Sequence, residues 1–261
     1  MKNKIIMKQL IKKVVQKFGY DIIKLNEFSE AKFHLILEAV INTNRYFNEE
    51  YFLLQIGAND GVTNDPVHHF LQKNKGSAIL VEPIPDVFEK LKKNYNRKNI
   101  NLLNAAIYEK DENVSIYRIS PKFEEKYRNL YKPNANASGI TSLNQEHVKN
   151  FLTKIAPKYF RDHNIDEWIE ETSVPGITFK TLVNKYQIST IDVLQIDTEG
   201  YDFEILKMAF ASNIADPKII NFEYKNLNST NVDMAIKLLN EKNYCIFKHE
   251  GNICAYKGLI F

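Results

Sequence analysis

The chain has 261 residues, of which 44% are hydrophobic and 26% charged, enough to bury a full core as one α/β domain with appendages. Its net charge of +3 is local, because Lys2, Lys4, Lys8, Lys12, Lys13 and Lys17 fall in an opening stretch without acids, leaving a net acidic remainder that offers no clustered basic groove for nucleic acid. No repeat, low-complexity tract or apolar run long enough to cross a bilayer is present.

Residues 4–18 place Ile5, Ile6, Leu10, Ile11, Val14, Val15 and Phe18 on one helical stripe with lysines opposite, and Gly19 ends it. Such a helix packs on the core or a second subunit, or lies on an anionic membrane. Lysines interrupt these apolar residues, so they do not read as a secretory signal, and the expected location is the cytoplasm. A second helix is predicted over residues 29–47, with Ser29 as its cap and Phe33, Ile36, Leu37, Val40 and Ile41 as apolar positions. Residues 1–48 thus form a helical extension to a main domain over 49–261.

The main domain opens with an apolar run from Tyr51 to Ile56, stopped by Gly57-Ala58-Asn59-Asp60-Gly61. Asp65 and Pro66 then suit the cap and first position of a helix. Strand, glycine turn and helix together can receive an anionic or nucleotide-like ligand, or can be a plain turn. The dinucleotide fingerprint is not met, since Asn59 stands where its second glycine belongs and no later glycine completes it.

Strands are predicted near residues 51–56, 77–82 and 101–105, with helices near 66–74 and 85–95 between them, which implies a largely parallel sheet with helices on both faces. Glu82 closes the second strand, where a carboxylate either grips ribose hydroxyls or is a solvated strand end. A strand over 114–119 follows. The pattern lapses over residues 120–173, a stretch rich in charge and aromatics that reads as a partly helical lid shaping a substrate pocket, or as a helical decoration.

Regularity returns with a strand near 174–178, a helix over 179–186 and a strong strand over 191–196 that runs into Asp197-Thr198-Glu199-Gly200. Strand alternation would set Asp197 and Glu199 on one side, able to hold an ammonium, take a proton or share a metal, with helix capping as the structural alternative. Glu223 ends the next strand, near 217–224, where a surface salt bridge is expected. A helix over 231–242 and a hairpin turning near Glu250-Gly251 close the chain. In that hairpin Cys245 faces Tyr256 and Cys254 faces Phe247, so the two cysteines are expected as buried, reduced thiols.

Five segments in order carry a family resemblance: Gln55–Gly61, Glu82-Pro83-Ile84-Pro85, Asn104-Ala105-Ala106, Ser138–Leu143 and Ile196–Gly200. Over about residues 50–257 the chain resembles the FkbM-type methyltransferases, which use S-adenosylmethionine. The resemblance implies a Rossmann-like class I methyltransferase fold: a seven-stranded, mostly parallel sheet with a C-terminal antiparallel hairpin. It implies that Gly57, Ala58, Asn59, Asp60 and Gly61 wrap the methionine end of the cofactor and that Glu82 holds its ribose. Pro83, Ala105, Ala106 and Ser142 complete the cofactor-binding set, Ala105 and Ala106 near the adenine. Asp197 then sits near the transferring methyl. Many members carry an acid where this chain has Gln55, so the contact to the cofactor's amino group is weakened or moved to Asp60 or Asp197.

The expected reaction is O-methylation of a small polar, sugar-like acceptor on a carrier or glycan precursor, yielding S-adenosylhomocysteine. Asp197 is the first candidate base, followed by Glu199 and His147, with His68 and His69 behind them. N-methylation of a small amine and a non-catalytic nucleotide-binding or assembly module are the alternatives, and a dehydrogenase is disfavoured by Asn59. No Cys/His set suggests zinc, and magnesium between Asp197, Glu199 and a substrate diol is compatible with the spacing but not demanded by it. Self-association through the N-terminal helices is a further expectation.

Overall fold

The computed structural model describes residues 25–133 and 135–261. The amphipathic stretch expected over residues 4–18 lies outside the described residues. The first described helix, α1 (Leu25–Tyr46), runs through Ser29, which is therefore interior and not the cap expected of it.

The main sheet contains β1 (Phe52–Ile56), β2 (Ser77–Val81), β3 (Ile100–Leu103), β8 (Val193–Ile196), β9 (Ile219–Glu223), β10 (Cys245–His249) and β11 (Asn252–Tyr256), in the order β10-β11-β9-β8-β1-β2-β3. Five neighbouring strands, β3 to β9 in that order, run parallel. The β10–β11 hairpin is antiparallel and pairs antiparallel to β9. This is the Rossmann-like methyltransferase sheet that the resemblance implied.

Strands β1, β2, β8 and β9 read as nearly unbroken apolar runs because helices cover both sheet faces. On one face Phe33, Ile36, Leu37 and Val40 of α1 pack with Leu53, Leu80, Val193 and Cys254. On the other face α7 (Phe179–Tyr186), α8 (Asp202–Phe210) and α9 (Ser229–Glu241) bring Phe179, Leu206 and Leu239 against Leu54, Ile56, Ile196 and Phe222. The period of two along each strand decides which side chain joins which layer.

Between the strands lie α2 (His68–Lys73) and α3 (Pro85–Asn94). Helix α2 begins two residues later than Asp65-Pro66 suggested, yet Asp65 still caps the turn before it, its Oδ1 accepting from the backbone N–H of Val67 at 2.8 Å and of His68 at 3.2 Å.

The excursion after β3 builds a second sheet, β4-β7-β5-β6, from β4 (Ala106–Ile107), β5 (Asn113–Ile119), β6 (Thr141–Ser142) and β7 (Ile169–Ile177). Strand β7 starts at Ile169, within the segment expected to lack regular strands. Its first half, Ile169-Glu170-Glu171-Thr172-Ser173, has no apolar alternation and forms by pairing with β5. Arg118 of β5 fixes that pairing, reaching Glu170 and Asp86 at 2.6 Å each. Helices α4 (Glu124–Leu130), α5 (Gln145–Ile155) and α6 (Pro157–Asp162) fill the rest of the excursion. They share a small core of Tyr127, Val148, Leu152 and Trp168.

The hairpin register places Cys245 opposite Tyr256 and Cys254 opposite Phe247. Both cysteines are free, but Cys245 is exposed where burial was expected, and only Cys254 is buried. The edge position of β10 leaves one of its faces to solvent.

Candidate active site

The turns that follow the carboxyl ends of β1, β2 and β8 converge, as ligand sites in open α/β sheets do. The β1 turn is tight because Gly57 and Gly61 take φ of +82° and +72°, and Asn59 also adopts a left-handed φ of 49°. A β-carbon on Gly57 would stand 1.8 Å from the carbonyl oxygen of Asp197, so the β1 and β8 turns meet backbone to backbone. Glu82 ties the β1 and β2 turns together. Its Oε2 accepts the Asn59 N–H at 2.8 Å, and its Oε1 accepts the Ile84 N–H at 2.9 Å. Burial raises the Glu82 carboxyl to about 7 against these two N–H groups, which favour the charged form. Asn104 secures the strand end from below, donating to the carbonyls of Glu82 and Pro83 at 2.8 Å each.

The segment Ser138–Leu143 bridges the turns from above. The Ser138 hydroxyl donates to Asn59 Oδ1 at 3.2 Å, and the Ser142 hydroxyl donates to the Glu199 carbonyl at 3.0 Å. Beneath this bridge lies a cavity of about 500 Å³, of the size that takes a nucleoside-bearing ligand. Of the expected site residues, Gln55, Gly57, Ala58, Asn59, Glu82 and Pro83 line it, and so do Ala105, Ala106, Ser142, Asp197 and Glu199. Asp60, Gly61 and His147 stand outside the lining. The Asp60 carboxylate is engaged with its own turn, accepting from Val62 N–H at 2.9 Å, Thr63 N–H at 2.7 Å and the Thr63 hydroxyl at 2.6 Å. His147 lies behind Glu199, with its Nε2 3.5 Å from Glu199 Oε2.

At one side of the cavity Asp197, Glu199 and Glu223 bring carboxylate oxygens within 4.8 Å of one another. Asp197 and Glu199 meet through a left-handed turn, with Glu199 at φ 52° and Gly200 at φ 110°, and not through strand alternation. Asp202, fully buried, shapes that turn: its Oδ2 accepts from the Thr198 hydroxyl at 3.0 Å and the Gly200 N–H at 3.3 Å. Glu223 pairs with Lys225, as a salt bridge was expected to do, but it is buried and faces the cavity. The Asn226 amide donates to Glu199 Oε2 at 2.5 Å and also to Glu223.

Burial pushes the Asp197 carboxyl well above the usual range, and the charges of Glu223, Asp202 and Glu199 push it further, with Lys225 opposing. Burial and Glu199 likewise raise Glu223 to about 7. Among the described residues no group donates a hydrogen bond to the Asp197 carboxylate.

Several cavity residues were not expected from the sequence as site residues. Tyr127, Tyr131 and Phe151 come from the excursion, Tyr201 from the start of α8, and Gln195 from the middle of β8. Asp65 was read only as a cap, although it also lines the cavity. The aromatics of residues 120–173 were the one available signal for an aromatic wall.

The sequence model of the FkbM methyltransferase domain matches residues 55–246, a span that holds every turn described above. The chain belongs to the FkbM methyltransferase domain family. No curated protein matches the chain.

Among solved structures, the FkbM methyltransferase from Methylobacillus flagellatus KT is similar at 9% identity with a TM-score of 0.45, over 80% of this chain and 44% of that one. The chain therefore spans less than half the length of that relative. The O-methyltransferase from Bacillus cereus in complex with SAH is similar at 9% identity and a TM-score of 0.42, over 95% of this chain and 90% of that one. Fibrillarin from Aeropyrum pernix with natively bound S-adenosyl-L-methionine is similar at 13% identity and a TM-score of 0.36, over 79% and 65%.

Proposed function

We propose that this FkbM methyltransferase binds its cofactor in the cavity beneath Ser138–Leu143 and methylates a hydroxyl of a small polar, sugar-like acceptor, with Asp197 receiving the proton. S-adenosylmethionine supplies an activated methyl on a sulfonium, transferred by in-line displacement. The donor set fits that cofactor: the left-handed turn at Gly57 brings backbone to the cavity wall, Glu82 stands at the strand end where ribose hydroxyls are held, and Ala105, Ala106 and Ile107 give an apolar slot for a flat base.

The observation that carries the reading is the Asp197 carboxylate, on the cavity wall, without a hydrogen-bond donor and ringed by acids. A carboxyl raised in this way is a stronger proton acceptor than an ordinary carboxylate. A cationic ligand beside the cluster favours its ionised form. With the donor bound, the acceptor hydroxyl would lose its proton to Asp197 as its oxygen took the methyl, and the C–S electron pair would stay with sulfur. Glu199 and Glu223 orient and polarise that carboxyl, and His147 backs Glu199.

Tyr127, Tyr131 and Phe151 beside Asn136, Lys132 and Asn226 support an acceptor with both apolar faces and hydroxyls. The convergence of three carboxylates favours a second reading, N-methylation of an amine, which would enter as a cation. The same oxygens fit a hard cation such as magnesium in type, but Lys225 and the Asn226 amide already engage Glu199 and Glu223, so no step is assigned to a metal. The reading extends to a cytoplasmic enzyme that self-associates through its N-terminal helices. Among the described residues no helix is long and apolar enough to cross a membrane.

A panel of monosaccharide derivatives and small amines, assayed for S-adenosylhomocysteine release, tests the function. Turnover on hydroxyl acceptors, lost in Asp197→Asn, is expected; turnover confined to amines would replace the O-methyl reading with the second one. Gel filtration before and after removal of residues 1–18 tests the assembly.

A further inference from the structure

Two buried acceptors on the cavity wall lack a donor, Oε1 of Gln55 and Oδ2 of Asp65. Their neighbours make this unusual. Gln55 sits in the middle of the sheet, 3% exposed, in register with Gln195, which is in register with Asn221. That polar row is otherwise bonded through: His249 Nε2 meets Asn221 Oδ1 at 2.8 Å, Asn221 donates to Gln195 Oε1 at 2.8 Å, and Gln195 donates to the Ile196 carbonyl at 3.3 Å. The row ends at Gln55, on the cavity, with an acceptor unused.

Asp65 is similarly divided. Its Oδ1 is committed to the Val67 and His68 N–H groups, while Oδ2 completes no hydrogen bond. The Gln55 amide lies against Asp65 and helps hold its carboxyl down against the larger effect of burial, which raises it to about 6, yet it leaves Oδ2 unbonded. Among the described residues no lysine or arginine pairs with either group. Buried acceptors without donors are costly and rare in folded proteins. Both residues line the cavity, and their two oxygens lie just behind its surface, so a donor is supplied by a group that enters the cavity and reaches them.

We propose that Asp65, with Gln55 beside it, is the ammonium receptor of the site and binds the α-amino group of the methionine arm of the cofactor. This rests on the reading of the cavity as the cofactor site. Asp65 is preferred to Asp60, whose two oxygens are occupied within its own turn. It is also preferred to Asp197, which belongs to the acidic cluster opposite Lys225 on the β8 turn. The amide at position 55 then serves as the neutral partner of a carboxylate supplied ten residues later, and one negative charge meets one positive charge.

The test is a calorimetric titration of the full chain with two ligands, S-adenosylhomocysteine and 5′-methylthioadenosine, which keeps the nucleoside and thioether but has no amino-acid arm. Asparagine retains the capping acceptor at position 65, so Asp65→Asn should fold with no loss of thermal stability. It should lose at least about tenfold in affinity for S-adenosylhomocysteine while binding of methylthioadenosine changes by less than about threefold. If Asp65→Asn does not fold, Asp65→Ser, another capping residue, carries the same comparison. Equal loss for both ligands, or no loss for either, would overturn the assignment. An amine acceptor whose binding alone depends on Asp65 would overturn it too, moving the ammonium from cofactor to acceptor. Failure of the wild type to bind either ligand would overturn the cofactor reading itself, a result separate from any effect of Asp65.

Discussion

The Asp197 carbonyl oxygen occupies the space a β-carbon on Gly57 would need, at 1.8 Å. This contact joins the β1 turn to the β8 turn, which carries the acidic side of the cavity. Gly57→Ala therefore meets two penalties, a left-handed φ of +82° and a backbone clash that no rotamer relieves. We expect a loss of at least about 2 kcal/mol of stability in urea unfolding, together with loss of S-adenosylhomocysteine binding. A variant that melts and binds like wild type would contradict the close contact.

Asp197 is held as an unbonded acid among acids, an arrangement that costs stability and serves chemistry. Asp197→Asn should raise the unfolding midpoint while cutting methyl transfer by about 10²-fold or more, the range expected when a general base is removed. A drop in stability with turnover intact would make Asp197 a structural residue.

Four buried carboxyls have folded values above their unfolded ones: Glu82 and Glu223 near 7, Asp65 and Asp202 near 6. Such groups keep their protons in the fold at pH values where the unfolded chain has lost them, so their contribution to stability falls as pH rises from about 4.5 to about 7. His249, lowered from 6.5 to about 4 mainly by burial, acts in the opposite sense over most of that window, so a difference measurement is needed. The stability of Glu223→Gln relative to wild type should climb between pH 4.5 and pH 7, by roughly 1–2 kcal/mol. Paired pH series of urea unfolding check it, and a flat difference would remove Glu223 from the set.

The two cysteines should differ in reactivity. Cys245 is exposed and Cys254 is fully buried, with burial pushing its thiol far up. A thiol reagent should modify one cysteine in the folded protein and two in denaturant, as counted by mass spectrometry. Modification of both at similar rates in the native state would contradict the hairpin packing.

Much of this fold was legible because its strands are doubly buried. Leu53-Leu54 and Val193-Leu194 announce themselves as apolar runs, and the hairpin register followed from the turn at Glu250-Gly251. Where an element is held by charge, the pattern failed: the first half of β7 is stabilised by Arg118 and Glu170, and no apolar period marks it. Ser29 resembled a cap, but the helix begins earlier, at Leu25. In the site, glycines and strand-end acids were visible as types at positions. Their states were not: the burial of Glu223, the role of Asp202 in turning the chain and the unused oxygen of Asp65 all depend on residues brought together by the sheet order.

The most direct test of the cavity as the cofactor site is titration of the full chain and of Glu82→Gln with S-adenosylhomocysteine, with NAD and adenosine alongside. Glutamine cannot accept from both Asn59 and Ile84 through two oxygens, so the β1 and β2 turns lose one of their ties. Binding of S-adenosylhomocysteine in preference to NAD, weakened about tenfold or more by Glu82→Gln, is the predicted result. Preferential binding of NAD, or binding of S-adenosylhomocysteine unaffected by the substitution, would contradict the account.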